Sequence, residues 1–260
     1  MDIKNEAIKK SKLEVANVPP IVAIFRQAMR TFDDKIKADS PEFKENFEKL
    51  KSLVDKITPE DLGFDKNLAD LKFWAKPRKA PCTYIEVIQN DKINMSIFVL
   101  KPGFTMPLHD HPQMHGLLKV IYGAVDIRSF TEYPLTEVVD MVDIEMRAKL
   151  EADRLSHGVH KHRKLYATIS DSENCREDSG ACILTPTLSN YHEIRSKVPS
   201  AFFDILAPPY DTFSEELGPR RCKYYQVLQE LTVNVVELEE IPVPECFYCD
   251  QAPYLGPPIP

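Results

Sequence analysis

Two hydrophobic periods divide the chain. Behind Pro19-Pro20, apolar residues recur at helical spacing at Ile21, Phe25, Met29 and Phe32, and behind Ser40-Pro41 at Phe43, Phe47, Leu50, Val54 and Ile57. Both patterns predict amphipathic helices that open on proline and need a surface to lie on. Thr58-Pro59-Glu60-Asp61 has the signature of an N-cap and predicts a short third helix through Leu62 and Phe64. After Trp74 the period changes to two. Ile93, Met95, Ile97 and Val99 alternate with Asn94 and Ser96, and extended runs are expected at 83–88, 93–100, 117–122, 124–130, 182–185, 201–206, 224–228 and 231–238. Gly123 joins two of these runs in the manner of a hairpin. The pattern predicts a mostly β fold, an antiparallel sandwich or barrel with helices at the front. The charged stretch 134–178 is strand-poor; Val138, Val142, Met146 and Leu150 form a helical stripe there, and it is expected to be an insertion on the barrel. The expected organisation is a helical segment at 1–78, a β domain at 79–245 and a tail at 246–260.

Composition narrows the class. With 43% hydrophobic and 28% charged residues and no run near the roughly 18 apolar residues of a membrane helix, an integral helical membrane protein is excluded. Thirty-three Lys and Arg against 40 Asp and Glu give a net charge of −7, which argues against general nucleic-acid binding. The first ten residues lack the apolar core of a secretory signal, so a reducing intracellular location is expected, cytoplasmic with the nucleus left open. Cys82, Cys175, Cys182, Cys222, Cys246 and Cys249 are then expected to be mostly free thiols. Twenty-one prolines against 8 glycines, with no Walker or dinucleotide fingerprint, leave little to cradle a phosphate. No zipper pattern is present, and a monomer is expected.

The strongest chemical signal is Gly103-Phe-Thr-Met-Pro-Leu-His109-Asp-His111. Histidines two apart on a strand share a face, so both imidazoles can reach one metal ion. A bare pair of this kind also arises by chance.

The segment from Gly103 to Gly123 resembles the first motif of the cupins, small β-barrels with a metal in the barrel mouth. It departs at one position: the slot that most metal cupins fill with glutamate is Gly116, and His115, one residue away, would point to the opposite face. Gly180 to His192 resembles the second cupin motif more loosely, lacking a glycine and carrying one extra residue before the histidine. His109, His111 and His192 would make a three-histidine set without a carboxylate. Such a set leaves a divalent ion its full charge and favours an anionic ligand such as a thiolate.

The resemblance then becomes closer. His109 to Gly123, Ala181 to Pro186, Asn190-Tyr-His192, Phe203 to Asp211 and Cys222-Lys-Tyr-Tyr225 are similar to the cysteamine (2-aminoethanethiol) dioxygenase and plant cysteine oxidase family, over roughly 83–238. This resemblance implies a cupin fold (a double-stranded β-helix or jelly-roll barrel) and one Fe(II) per chain on His109, His111 and His192. It implies O2 as co-substrate and oxidation of a thiol to a sulfinate. The thiol would belong to cysteamine or to the N-terminal cysteine of a protein. In the latter case the product feeds the arginine branch of N-degron degradation, an oxygen-sensing role active in hypoxia.

The same resemblance assigns Asp204 a place near the metal, holding a ligand histidine or the substrate's ammonium group. An acid within Phe202-Phe203-Asp204-Ile205-Leu206 needs a partner in any case, and a structural ion pair is the plainer alternative. Tyr210 matches a pocket-lining tyrosine, or is a packed aromatic. Cys222 and Tyr224 share a strand face; they are either two packed residues, the plainer reading, or a cysteine–tyrosine crosslink of the kind thiol dioxygenases can carry. His157, His160 and His162 lie among lysine and arginine and read as a solvated basic loop. Cys246 and Cys249 lack the second ligand pair of a zinc site, and Lys9, Lys10 and Lys12 read as a solvated helix face. A non-catalytic metal- or ligand-binding cupin is the alternative from another class. Thiol-dependent O2 consumption separates the two.

Overall fold

The computed structural model describes residues 18–155, 163–170 and 172–260. The two expected front helices span Pro20–Thr31 and Pro41–Val54. Ser40 caps the second, its Oγ accepting the Phe43 N–H at 3.1 Å. The third helix does not form. Its capping bonds do: Thr58 N–H reaches the Asp61 carboxylate at 3.0 Å and Asp61 N–H reaches Thr58 Oγ1 at 3.2 Å. Gly63 then turns at φ +57 and ends the turn, with Gly256 against it, 2.5 Å from where a Cβ would sit. A 3-10 turn follows at Lys66–Ala69 and one helical turn at Leu71–Trp74.

The strands are β1 (Cys82–Gln89), β2 (Asn94–Leu100), β3 (Thr105–Asp110), β4 (His115–Tyr122), β5 (Ala124–Tyr133), β6 (Lys164–Ile169), β7 (Glu173–Arg176), β8 (Cys182–Leu184), β9 (Tyr191–Ser196), β10 (Ser200–Ala207), β11 (Phe213–Ser214), β12 (Gly218–Pro219), β13 (Tyr224–Glu230), β14 (Val235–Ile241) and β15 (Cys249–Gln251). One sheet runs β15-β1-β2-β10-β4-β8 and the other β6-β14-β13-β3-β9-β5-β7. This is the mostly β, jelly-roll architecture expected. A further pairing of β5 with β6, from Phe130↔Ile169 to Tyr133↔Tyr166, closes six strands of the second sheet into a ring.

The centre of the first sheet is buried on both faces. All eight residues of β10 are buried; Phe203 and Ile205 pack under the helices with Ile24, Phe47 and Leu50, while Phe202 turns inward. Between the sheets Leu100, Met106, Leu118, Val120, Ile127, Ile194 and Phe202 fill a first interior. Leu108, Phe130, Leu165, Tyr191, Tyr225 and Leu238 fill a second, inside the ring. Strand β3 is shared: Met106 faces one interior and Leu108 the other.

The stretch expected as an insertion contains helices at Leu135–Val138 and Ile144–Leu155, and also β6 and β7, which belong to the ring sheet. Lys164 and Arg163 obscured the alternation of Leu165, Ala167 and Ile169. Strand β9 was not expected either, because it turns His192 inward where an apolar residue would have marked it. The stretch expected as a tail contributes β15, which pairs in parallel with β1 from Cys82↔Cys249 to Tyr84↔Gln251. Tyr254 and Ile259 then pack against the helical side of the core. The basic cluster at His157, His160 and His162 and the early lysines Lys9, Lys10 and Lys12 lie outside the described residues.

Candidate metal centre

Local geometry on β3 begins with a proline. The β3–β9 register shifts between Met106 and His109, so Pro107 sits at a bulge, where its missing N–H interrupts no ladder bond. The bulge sets His109 opposite His192, their Cα positions in register. His111 lies just beyond the strand, held by its N–H to the Asn190 carbonyl at 2.8 Å. All three imidazoles are buried, with ring centroids 4.7 to 4.9 Å apart. Nitrogen atoms of the three lie within 4.8 Å of one another. The spacing of His109 and His111 and the loose motif at His192 thus led to one place.

Hydrogen bonds fix two of the tautomers. His109 Nδ1 lies 2.8 Å from the Pro107 carbonyl, which can only accept, so Nδ1 carries the proton and Nε2 a lone pair. Tyr210 donates its hydroxyl proton to the Asp110 carbonyl at 2.5 Å. Its oxygen, 2.9 Å from His111 Nδ1, therefore accepts from that nitrogen. The Nε2 atoms of His111 and His192 face each other at 3.1 Å. Burial pushes the protonation of His109 down to about 4, and holds His111 and His192 well below the ordinary histidine value, with their neighbouring rings adding to the effect. Neutral imidazoles converging from three sides, two with Nε2 free, are the donor set of a divalent first-row cation with open positions. The residues present fit the iron that the family resemblance implies.

The missing carboxylate has a steric explanation. Gly116 faces Leu184 across the β4–β8 pair, and a Cβ there would meet the Leu184 side chain at 2.8 Å. A side chain at this position could be accommodated only if Leu184 moved. His115 points away, into the aromatic cluster of Phe32, Phe43 and Phe47, with centroids 5.0 to 6.0 Å from its own.

Asp204 lies on the inward face of β10, in register with Ser96 and Leu118. No cation pairs with it among the described residues. Burial, only partly offset by the Ile205 N–H, pushes its carboxyl up to about 7. Its charge adds to the upward push that burial gives the Tyr210 and Tyr84 hydroxyls. The structural ion pair is thus absent. Cys222 sits within hydrogen-bonding range of both Tyr210 and Tyr224, and burial pushes its thiol up to about 12. The Tyr224 ring lies 6.3 Å from that of His109 and 5.8 Å from Phe247.

Three contributors were not read from the sequence. Leu184 and Phe247 carry no chemical signal. Asp110, between the two histidines, had one: strand alternation must turn it away from them, into the ring. There its carboxylate accepts Lys223 N–H at 2.8 Å and Tyr225 O–H at 3.0 Å, tying β3 to β13.

The PCO_ADO family model matches residues 53–259, most of the chain. The chain belongs to the PCO_ADO family. Human 2-aminoethanethiol dioxygenase is 34% identical to this PCO_ADO chain over 273 residues, covering 92% of it and 96% of the human protein. Plant cysteine oxidase 2 of Arabidopsis thaliana is 26% identical over 206 residues, covering 79% and 66%. Among solved structures, a cupin superfamily protein of Desulfitobacterium hafniense aligns over 54% of this chain and 88% of its own, at 11% identity and a TM-score of 0.31.

Proposed function

We propose that this PCO_ADO protein is an iron-dependent thiol dioxygenase that converts a thiol to its sulfinate, both oxygen atoms coming from O2. Three buried, neutral histidines without a carboxylate carry the reading. His109, His111 and His192 would hold the iron. Bound Fe(II) would supply O2 activation and an electropositive position for a thiolate.

The chain's own residues have separate tasks. The Pro107 carbonyl and Tyr210 hold His109 and His111 in the tautomer that offers Nε2. The apolar residues between the sheets would exclude water from the centre. Asp204, buried and without a cationic partner, is suited to receive the ammonium group that an aminothiol or an N-terminal cysteine carries beside its thiol. That ammonium would return the carboxyl to its ionised form. Tyr210 and Tyr224 lie beside His111 and His109, with Cys222 between the two tyrosines, and a Cys222–Tyr224 link remains part of this proposal.

Cysteamine and Cys-initiated protein N-termini are the substrates this arrangement favours. Acting on the latter would place the protein in oxygen sensing through the N-degron route, within the cell. Among the described residues no helix is long and apolar enough to cross a membrane.

The test is anaerobic loading with Fe(II), then O2 uptake and product mass with cysteamine and with a Cys-initiated peptide, beside a His192→Ala control. Two added oxygen atoms on either substrate, absent in the control, are expected. Iron bound without thiol-dependent O2 uptake would move the protein to the non-catalytic metal-binding class.

A further inference from the structure

Away from the histidines, two thiols stand almost in bonding contact. Cys175 lies on β7, the last strand of the ring sheet, and Cys182 opens β8, the last strand of the other sheet. Their Sγ atoms are 2.9 Å apart. Glu173 Oε2 completes the cluster, 3.5 Å from Cys182 Sγ and 4.0 Å from Cys175 Sγ. Neither sulfur belongs to the proposed reaction.

The separation selects between two uses of a dithiol with a carboxylate. Two sulfurs on one tetrahedral zinc, each at about 2.3 Å from it, stand roughly 3.8 Å apart. A disulfide needs about 2.05 Å. At 2.9 Å the pair is already too close to share a metal, and less than one ångström of approach makes the bond. The two thiols lie within hydrogen-bonding reach of each other with either as donor, and the Cys182 S–H also reaches the Glu173 carboxylate. Cys175 is buried, whereas Cys182 is partly exposed and open to a small oxidant.

We propose that Cys175 and Cys182 form a reversible intramolecular disulfide that fastens the edge of one sheet to the edge of the other. Glutathione disulfide is the oxidant. Cys182, giving its proton to the Glu173 carboxylate, attacks one glutathione sulfur and expels the first glutathione as thiolate. Cys175 then attacks Cys182 Sγ and expels the second. Two protein thiols lose two electrons and two protons in all, and one glutathione disulfide becomes two glutathiones. The bond holds the strand whose Leu184 covers Gly116, and the connection that leads on to His192.

Trypsin cuts at Arg176, between the two cysteines, and leaves them on peptides 165–176 and 177–195. The full chain is equilibrated in a series of glutathione buffers, alkylated and digested. As the buffer becomes oxidising, these two peptides should appear joined, lighter by two hydrogens than their sum. Reductant should part them, and Cys175→Ser and Cys182→Ser should each abolish the joined species. In the oxidised protein the amides of 182–184 should exchange at least about tenfold more slowly. Both thiols alkylated at every buffer ratio would overturn the proposal. So would a lasting glutathione adduct on Cys182 alone. Protection from alkylation by one equivalent of Zn2+, reversed by a chelator, would make the cluster a metal site instead.

Discussion

Strand β3 looks into two interiors that treat polar groups in opposite ways. Between the sheets, His109 and His111 meet His192 with no charged partner, and Asp204 has no cation. Inside the ring, Asp110 is equally buried but accepts two hydrogen bonds, and Tyr191 donates to Glu132 at 2.5 Å, which in turn pairs with Arg163 at 3.1 Å. The ring pairs most of its polar groups internally, although burial still pushes the Asp110 carboxyl up to about 6. The space between the sheets does not, and buried groups that lack partners mark the place where a ligand supplies them. One residue of shift along one strand separates the two environments.

The largest effect should come from removing a convergent nitrogen. His111→Ala should abolish thiol oxidation and reduce bound iron at least about 100-fold, measured by metal analysis after dialysis, with the far-ultraviolet spectrum unchanged. Full iron occupancy in that variant would remove His111 from the centre.

Asp204 comes next, because it is a buried acid with no cation beside it among the described residues. Its folded-state value of about 7 lies above the ordinary 3.8, so its contribution to stability is full below about pH 4 and is lost as pH rises through 7. A displacement of about 3 units corresponds to at most about 4 kcal/mol. In denaturant unfolding of the metal-free protein, the wild type should lose stability between about pH 4 and 7 relative to Asp204→Asn. Parallel profiles for the two proteins would mean that a cation already sits on the carboxylate.

How much of this was legible beforehand differs between the two interiors. The histidines could be read because metal ligation constrains residue type and spacing at once, and because Pro107 and Gly103 mark the turn into the strand. The front helices were read from Ile21 to Ile57 because their apolar stripes face one sheet. The ring sheet was read only in part: β5, β13 and β14 fall on expected runs, but β6 and β7 carry lysine, glutamate and arginine on the outside, and β9 is polar toward the metal, so the period-two signal drops below the noise of the surrounding charges there. The third helix is cut short at Gly63: Thr58 and Asp61 make the cap locally, but Gly63 turns at φ +57 where Gly256, nearly two hundred residues on, leaves no room for a Cβ. Long-range contacts of this kind leave no mark at the position they control.

Two tyrosines divide the interiors most finely. Tyr210→Phe removes the acceptor for the His111 Nδ1–H and frees that ring to turn, so iron affinity should fall about 10- to 100-fold while the fold persists. Equal iron affinity in the variant would mean that packing alone orients His111.

Tyr225→Phe is the counterpart inside the ring and should have the smallest effect. It deletes one hydrogen bond to Asp110, whose other oxygen keeps the Lys223 N–H. The loss should be about 1 kcal/mol, a fall in melting temperature of about 2 to 4 °C. Iron affinity should stay within about twofold of wild type, because the deleted bond lies on the far face of β3. If Tyr225→Phe instead weakened iron as much as Tyr210→Phe, the two interiors would be one coupled unit. Asp110 would then be a positioning residue for the histidines on either side of it.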